Sequence, residues 1–277
     1  MSARDGLVYG MPEIEYHAGP ELSSTGAKRI LRSPAHYQWE QEHRVEKAAY
    51  DFGHAVHALV LGTGLDIEVI DADGWRTKAA QDARKAAYAE GKVPMLAKDH
   101  ARAVNTAVAV RSHPIAGPLF VAGEPEVSMF WTDETTGVRC RGRIDWLKDF
   151  ADGRTAIDLK TAADADPATW GRITAKYAYD LQAAWYLDGY QAVTGVVRLD
   201  YLHVVVESNP PHAVSVVRLD DEALHIGALK AARARLVFAE CSRTGQWPGY
   251  PEIVHPVGLP QWAIYEAEDE YDDEMVV

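Results

Sequence analysis

Apolar and polar positions alternate along two neighbouring runs, VRCRGRIDWLKDF from Val138 and GRTAIDLKTA from Gly153. They flank Asp152-Gly153, a pair that favours a two-residue β-hairpin turn. EVSMFWTD, from Glu126, precedes them, and the valine-rich runs VVRLDYLHVVVES and HAVSVVRL follow, separated by an Asn-Pro-Pro turn. This pattern predicts strands over 126–132, 138–149, 155–161, 196–206 and 212–218. Elsewhere the spacing is helical. Ser23, Ser24 or Thr25 can cap a helix beginning near Gly26, which Ser33-Pro34 ends or restarts. Ala48 to Gly62 is an apolar helical run with His54 and His57 near one face, and 66–116 is Ala-rich, charged and helical in pattern. Asp166-Pro167 starts another helix, Tyr179, Gln182 and Tyr186 lie on one face of a later one, and Asp220-Asp221-Glu222 opens a long helix to about Arg243. The expected architecture is an α/β core, with a central mixed β-sheet flanked by helices and a helix-rich N-terminal region. We expect one domain over 1–265, divided into an N-terminal part (1–116) and a core (117–265), followed by an acidic, disordered tail (266–277).

With Asp152 and Gly153 as the central turn residues, Ala151 pairs with Arg154, Asp145 with Lys160 and Leu147 with Asp158. Residues two apart share a strand face, so Asp158 and Lys160 point the same way and Asp145 joins them, its Cβ roughly 5 Å from that of Lys160. Two carboxylates this close are costly on a half-buried face unless something neutralises them. A hard divalent cation would do so, and a lysine beside it could orient or deprotonate a bound water. A salt-bridged hairpin with no metal satisfies the same spacing.

Composition narrows the classes. The 277 residues are 47 % hydrophobic and 25 % charged, ordinary for a globular chain with a sizeable core. No apolar run reaches the roughly 18–20 residues of a membrane span, and the N-terminus lacks a signal-peptide core, so a cytoplasmic location is expected. Two cysteines, Cys140 and Cys241, form no CxxC pair and are too few for a disulfide framework, a zinc ribbon or a four-cysteine iron–sulfur cluster. The net charge of −13 opposes general nucleic-acid affinity, but the last twelve residues hold seven acids and no base, leaving −6 for the rest. A locally positive groove can exist in an acidic body. Arg139, Arg141 and Arg143 alternate on one strand face, where either phosphate contacts or simple solubility would account for them.

Asp145 followed by Asp158-Leu159-Lys160 resembles the D…(D/E)xK core of the PD-(D/E)xK nuclease superfamily. Further stretches are similar to RecE-type exonucleases, also called exonuclease VIII: Tyr16 to Tyr37, the Phe52-Gly53…His57…Leu59…Leu61 run, the Gln182…Tyr186 pair, and Trp247-Pro248 with Leu259-Pro260-Gln261-Trp262. The likeness spans about 16–263. It implies a Mg²⁺-dependent enzyme, with Mn²⁺ as a substitute, that degrades double-stranded DNA 5′→3′ and leaves 3′ single-stranded overhangs. It further implies metal ligation by Asp145, Asp158 and the Leu159 carbonyl, with His57 and Glu126 as further ligands or water-orienting groups. Lys160 would act on the attacking water, and Gln182 and Tyr186 would support the site. A ring-shaped homo-oligomer, a RecT-type annealing partner and a phage or prophage origin belong to the same implication. Left to themselves, His57 is also consistent with core packing, Glu126 with a solvated strand end, and Lys28, Arg29 and Arg32 with a solvated helix face. Two alternatives stand beside this reading: a RecB-like single-strand or flap nuclease, and a non-catalytic DNA-binding protein with the nuclease fold.

Overall fold

The computed structural model describes residues 5–43, 51–151 and 153–272. Its frame is a six-stranded mixed sheet in the order β1-β4-β5-β6-β7-β8: Gly6–Val8, Glu124–Thr132, Arg139–Phe150, Gly153–Ala162, Leu199–Glu207 and Val214–Val217. Only β6 and β7 pair in parallel; the other neighbours are antiparallel. A parallel neighbour needs a crossover, and helices α8 (Pro167–Tyr177) and α9 (Tyr179–Thr194) supply it.

Each face of the sheet buries its own core. One is formed with α2 (Ser24–Arg32), α9 and α10 (Asp221–Thr244), around Leu22, Ile30, Met129, Leu181, Trp185 and Tyr190. The other is formed with α4 (Asp51–Leu61) and α6 (Ala97–Ser112), around Val56, Val60, Val110, Phe120, Leu159 and Val204. Two glycines permit close approaches that place α9. A Cβ on Gly142 would lie 3.1 Å from the Tyr186 ring, and one on Gly227 would lie 2.1 Å from the Asp180 carbonyl oxygen, a severe clash. Ser23 caps α2 through the amide of Gly26, Ser33 caps α3 (Pro34–Glu42), and Asp166 caps α8.

Three expectations need correction. The stretch 66–116 is not wholly helical, because IEVI and VPML form a parallel pair, β2 (Ile67–Ile70) and β3 (Val93–Leu96), joined by α5 (Lys78–Ala89). Val93 and Met95 bury in the α4–α6 core, and tertiary contact of that kind overrides the helical composition around them. The C-terminal tail is helical as far as Asp272 in α11 (Gln261–Asp272), which begins just after Pro260 with good helix formers; 273–277 lie outside the described residues. The hairpin closes two residues off the expected register, with Phe150 facing Gly153 and Leu147 facing Ala156; Asp152 lies outside the described residues, as do 48–50 of the expected Ala48–Gly62 helix. Among the described residues no helix is long and apolar enough to cross a membrane.

Candidate active site

A two-residue slip preserves which side chains share a face, so Asp158 and Lys160 still point together, and their charged groups meet at 2.5 Å. What changes is the partner of Asp145. The β5–β6 ladder stops at Trp146–Ile157, and Asp145 and Asp158 are the first residues past it. Beyond that point β5 pairs only with β4 and β6 only with β7, so the two strands part at the acids. The amide of Leu159, left without a β5 carbonyl, donates instead to Asp145 Oδ2 at 2.9 Å.

The same place carries a change of face. Ile144 packs in the α9-side core and Trp146, two residues on, packs in the α4-side core, although strict alternation would keep both on one side. Across β4 from Asp145 sits Glu126, between the pairs Pro125–Trp146 and Val127–Ile144, with φ at +51°. A non-glycine residue in that region costs on the order of 1–3 kcal/mol, and its neighbours must hold it there. This backbone irregularity turns the strand pair so that Glu126 and Asp145 converge with a helix on the α4 side.

That helix contributes His57. Its Nε2 lies 2.7 Å from the Leu159 carbonyl oxygen, which can only accept, so Nε2 carries the hydrogen. In the neutral ring Nδ1 then presents a lone pair, 3.7 Å from Asp145 Oδ2. Two lone pairs facing one another at that distance suit a cation between them. Ligand atoms of His57, Glu126 and Asp145 all lie within 4.8 Å of one another, the donor set of a metal that accepts imidazole and carboxylate. Electrostatics agree with the geometry. Burial first, and Asp158 second, raise the Asp145 carboxyl. Burial first, and Asp145 second, push Glu126 up to about 8 despite the Arg143 guanidinium 3.6 Å away. Desolvation and mutual repulsion therefore disfavour two negative charges at this point.

Asp158 stands outside that trio and is 1 % exposed. Its Oδ1 accepts from Gln182 Nε2 at 2.8 Å, and its Oδ2 faces Lys160. Of the expected ligands Asp145, Asp158 and the Leu159 carbonyl, Asp145 falls within the trio, Asp158 is engaged by Lys160 and Gln182, and the Leu159 carbonyl accepts from His57. Burial raises Asp158, but the Lys160 ammonium reverses this and its carboxyl ends low. Lys160 answers in kind. Burial alone would lower its ammonium, Asp158 and Asp145 more than compensate, and the net shift is upward. Its neighbours thus favour the charged ammonium in the metal-free site. Tyr186 is buried against Gly142, and burial holds its phenol proton well above the usual range, so it can donate but not abstract.

Two groups escaped the sequence reading. Lys28, expected on a solvated face, turns into the site and donates to Gln182 Oε1 at 2.9 Å. Its place on α2 next to a serine cap carried no signal that the helix packs on α9. His203 is the β7 partner of Asp158, fully buried, with neither ring nitrogen hydrogen-bonded among the described residues; burial pulls it down to about 4, so it is neutral. All three arginines of β5 are occupied internally: Arg139 pairs with Asp5 and donates to Thr132, Arg141 donates to the carbonyls of Tyr16 and Gly19, and Arg143 to Ser128 and the Met11 carbonyl.

The raised Glu126 carboxyl makes a prediction about the metal-free protein. A group whose pKa is higher folded than unfolded contributes fully below its unfolded value, near 4.5 here, and loses that contribution as pH rises through about 8. In EDTA, wild-type stability relative to Glu126→Gln should fall between pH 4.5 and 8, by at most about 1.4 kcal/mol per unit. Thermal melts across that window check it. A constant difference between the two proteins would mean that Glu126 ionises as an ordinary glutamate.

Comparison with known proteins places the chain in a family and its fold beside a solved structure. The family model of a PDDEXK-like domain of unknown function (DUF3799) matches residues 23–256. The crystal structure of a candidate exonuclease from Eubacterium rectale superimposes over 91 % of this chain and 96 % of its own, with a TM-score of 0.55 and 14 % identity, a likeness of fold. That of SSO0001 covers 74 % of this chain and 88 % of its own at 14 % identity, but its TM-score of 0.29 is too low to bear on the site. No curated protein matches the chain in sequence.

Proposed function

Because the chain belongs to the PDDEXK-like domain family DUF3799, within the PD-(D/E)xK nuclease superfamily, we propose that it is a divalent-metal-dependent exodeoxyribonuclease. It digests double-stranded DNA from an end, 5′→3′, and leaves 3′ single-stranded overhangs for strand annealing. The observation that carries the reading is the parting of β5 and β6, which sets the His57, Glu126 and Asp145 trio beside the Asp158–Lys160 pair. The RecE-like stretches at both ends of the chain support the exonuclease class, with a RecT-type annealing protein as partner, a ring-shaped homo-oligomer as the working form, and a phage or prophage source acting in the bacterial cytoplasm.

His57, Glu126 and Asp145 would hold the cation, Mg²⁺ or Mn²⁺, with Asp158 adjacent. When bound, it acidifies a water and offsets the charge developing on phosphorus. Lys160, kept charged by Asp158, orients the nucleophilic water through a donated hydrogen bond. Gln182 fixes the other oxygen of Asp158, and His57 and Asp145 hold the two backbone groups of Leu159. In-line displacement needs no covalent intermediate, so positioning and charge carry the rate.

The test is digestion of a linear duplex labelled at either 5′ end, with Mg²⁺ or with EDTA, beside a closed circle and a single strand of the same sequence. Metal-dependent release of 5′ mononucleotides from the linear duplex alone is expected. Cutting of the circle, or preference for the single strand, would move the assignment to a RecB-like or flap nuclease. Binding without cleavage would leave a DNA-binding protein.

A further inference from the structure

Lys28 turns into the site beside a second lysine rather than against a carboxylate. Among the described residues its hydrogen-bond acceptor is a neutral amide oxygen, Gln182 Oε1, and no carboxylate stands within ion-pair distance. A second ammonium, Lys160, shares its surroundings: each lies 5.1 Å from the centroid of the Tyr179 ring. The two cations are connected through one carboxylate, because Lys28 donates to Gln182, Gln182 donates to Asp158, and Asp158 pairs with Lys160. Since a lysine only donates, Lys28 fixes which end of the Gln182 amide faces Asp158. Two ammoniums about one buried carboxylate are an arrangement that repels itself until an anion enters. Burial and Lys160 accordingly draw Lys28 down to about 7.

A dication on His57, Glu126 and Asp145 would offset the two carboxylates there, and Lys160 already offsets Asp158. The Lys28 ammonium, with a neutral amide as its acceptor, is the cation left to meet an anion such as a phosphodiester. Lys28, Lys160, Tyr179 and Gln182 are all partly exposed, so the floor they form is open to a strand.

We propose that Lys28 is a substrate-binding cation of this site, whose ammonium contacts a non-bridging oxygen of the phosphodiester being cleaved. The inference rests on the nuclease reading. An approaching phosphate would restore the full charge of Lys28, and the contact would strengthen as charge builds on phosphorus. Arginine could replace it; a neutral side chain could not.

The experiment compares wild type with Lys28→Gln, which keeps a donor for Gln182 without the charge, and Lys28→Arg, which keeps the charge. Three quantities are read: kcat/KM for a linear duplex in Mg²⁺, affinity for a duplex end with Ca²⁺ in place of Mg²⁺, and Mn²⁺ affinity without DNA. K28Q should lose about 100-fold in kcat/KM and bind DNA more weakly, with K28R recovering to within about tenfold. Mn²⁺ affinity should stay within about threefold in both. In EDTA the Tm of K28Q should equal or exceed that of wild type, since a repelling buried charge has gone. Should K28Q fail to fold, Lys28→Met carries the charge test. K28Q cleaving like wild type overturns the inference. So does a loss that tracks weakened Mn²⁺ binding and is cured by excess metal, which would make Lys28 a positioning residue for Asp158. Wild type that cuts no DNA with any divalent cation sinks the nuclease reading itself, an outcome separate from K28Q matching an active wild type.

Discussion

Asp158→Asn should lower single-turnover cleavage by about 10³-fold or more, the scale lost when preorganised charge is removed from a phosphoryl-transfer site. The side chain is 1 % exposed and holds two partners, Lys160 at 2.5 Å and Gln182 at 2.8 Å. Asparagine matches its shape and can still accept from Gln182. Its amide would face the Lys160 ammonium as a second donor, however, and the charge that keeps Lys160 protonated would be gone. Burial would then act on Lys160 unopposed except by Asp145, and its ammonium would move down. Removing one member of a buried pair also costs about 3–5 kcal/mol of stability. Denaturant unfolding should show that loss in D158N, and the double variant with Lys160→Met should be less destabilised than the two single changes added together. Cleavage by folded D158N within tenfold of wild type would remove the Asp158–Lys160 pair from the mechanism.

His57→Ala should weaken divalent-cation affinity about 10- to 100-fold, so that activity returns as Mg²⁺ is raised. The histidine works through both ring atoms: Nε2 satisfies the Leu159 carbonyl at 2.7 Å, and Nδ1 stands 3.7 Å from Asp145 Oδ2 within the ligand trio. Alanine deletes one ligand and leaves a backbone carbonyl without its partner, at about 1–3 kcal/mol. A metal titration of cleavage, paired with a thermal melt, separates these effects. If affinity for the metal is unchanged and only stability falls, His57 is a structural residue that anchors β6 to α4.

The order of strands and helices was readable because it rests on local periodicity, as in the alternating runs on either side of Gly153 and the Asp166-Pro167 helix start. The pairing of Asp158 with Lys160 was readable for a related reason: a spacing of two in a strand puts side chains on one face whatever the register. The register itself was not. An Asp-Gly pair signals a turn, but the ladder closed at Phe150–Gly153, and that shift moved Asp145 from Lys160 to the amide of Leu159. The short strands β2 and β3 were hidden in Ala-rich surroundings, since four apolar residues do not distinguish a strand from a buried turn of helix.

Lys28 and His203 mark the boundary most clearly, because local sequence does not say what either faces: Lys28 meets Gln182 of α9, and His203 is set against Asp158 by the β6–β7 register. The left-handed backbone of Glu126 and the change of face at Asp145 are of the same kind, because they exist only where three strands meet a helix. The chain alone therefore specified most of its elements, an α/β class with a mixed sheet flanked by helices, and the strand that bears the aspartate and lysine, all of them properties of neighbouring residues. Which acids converge on His57, and which lysine turns inward, came from packing between distant segments. Desolvation and charge depend on what surrounds a group in space, and no local spacing encodes that.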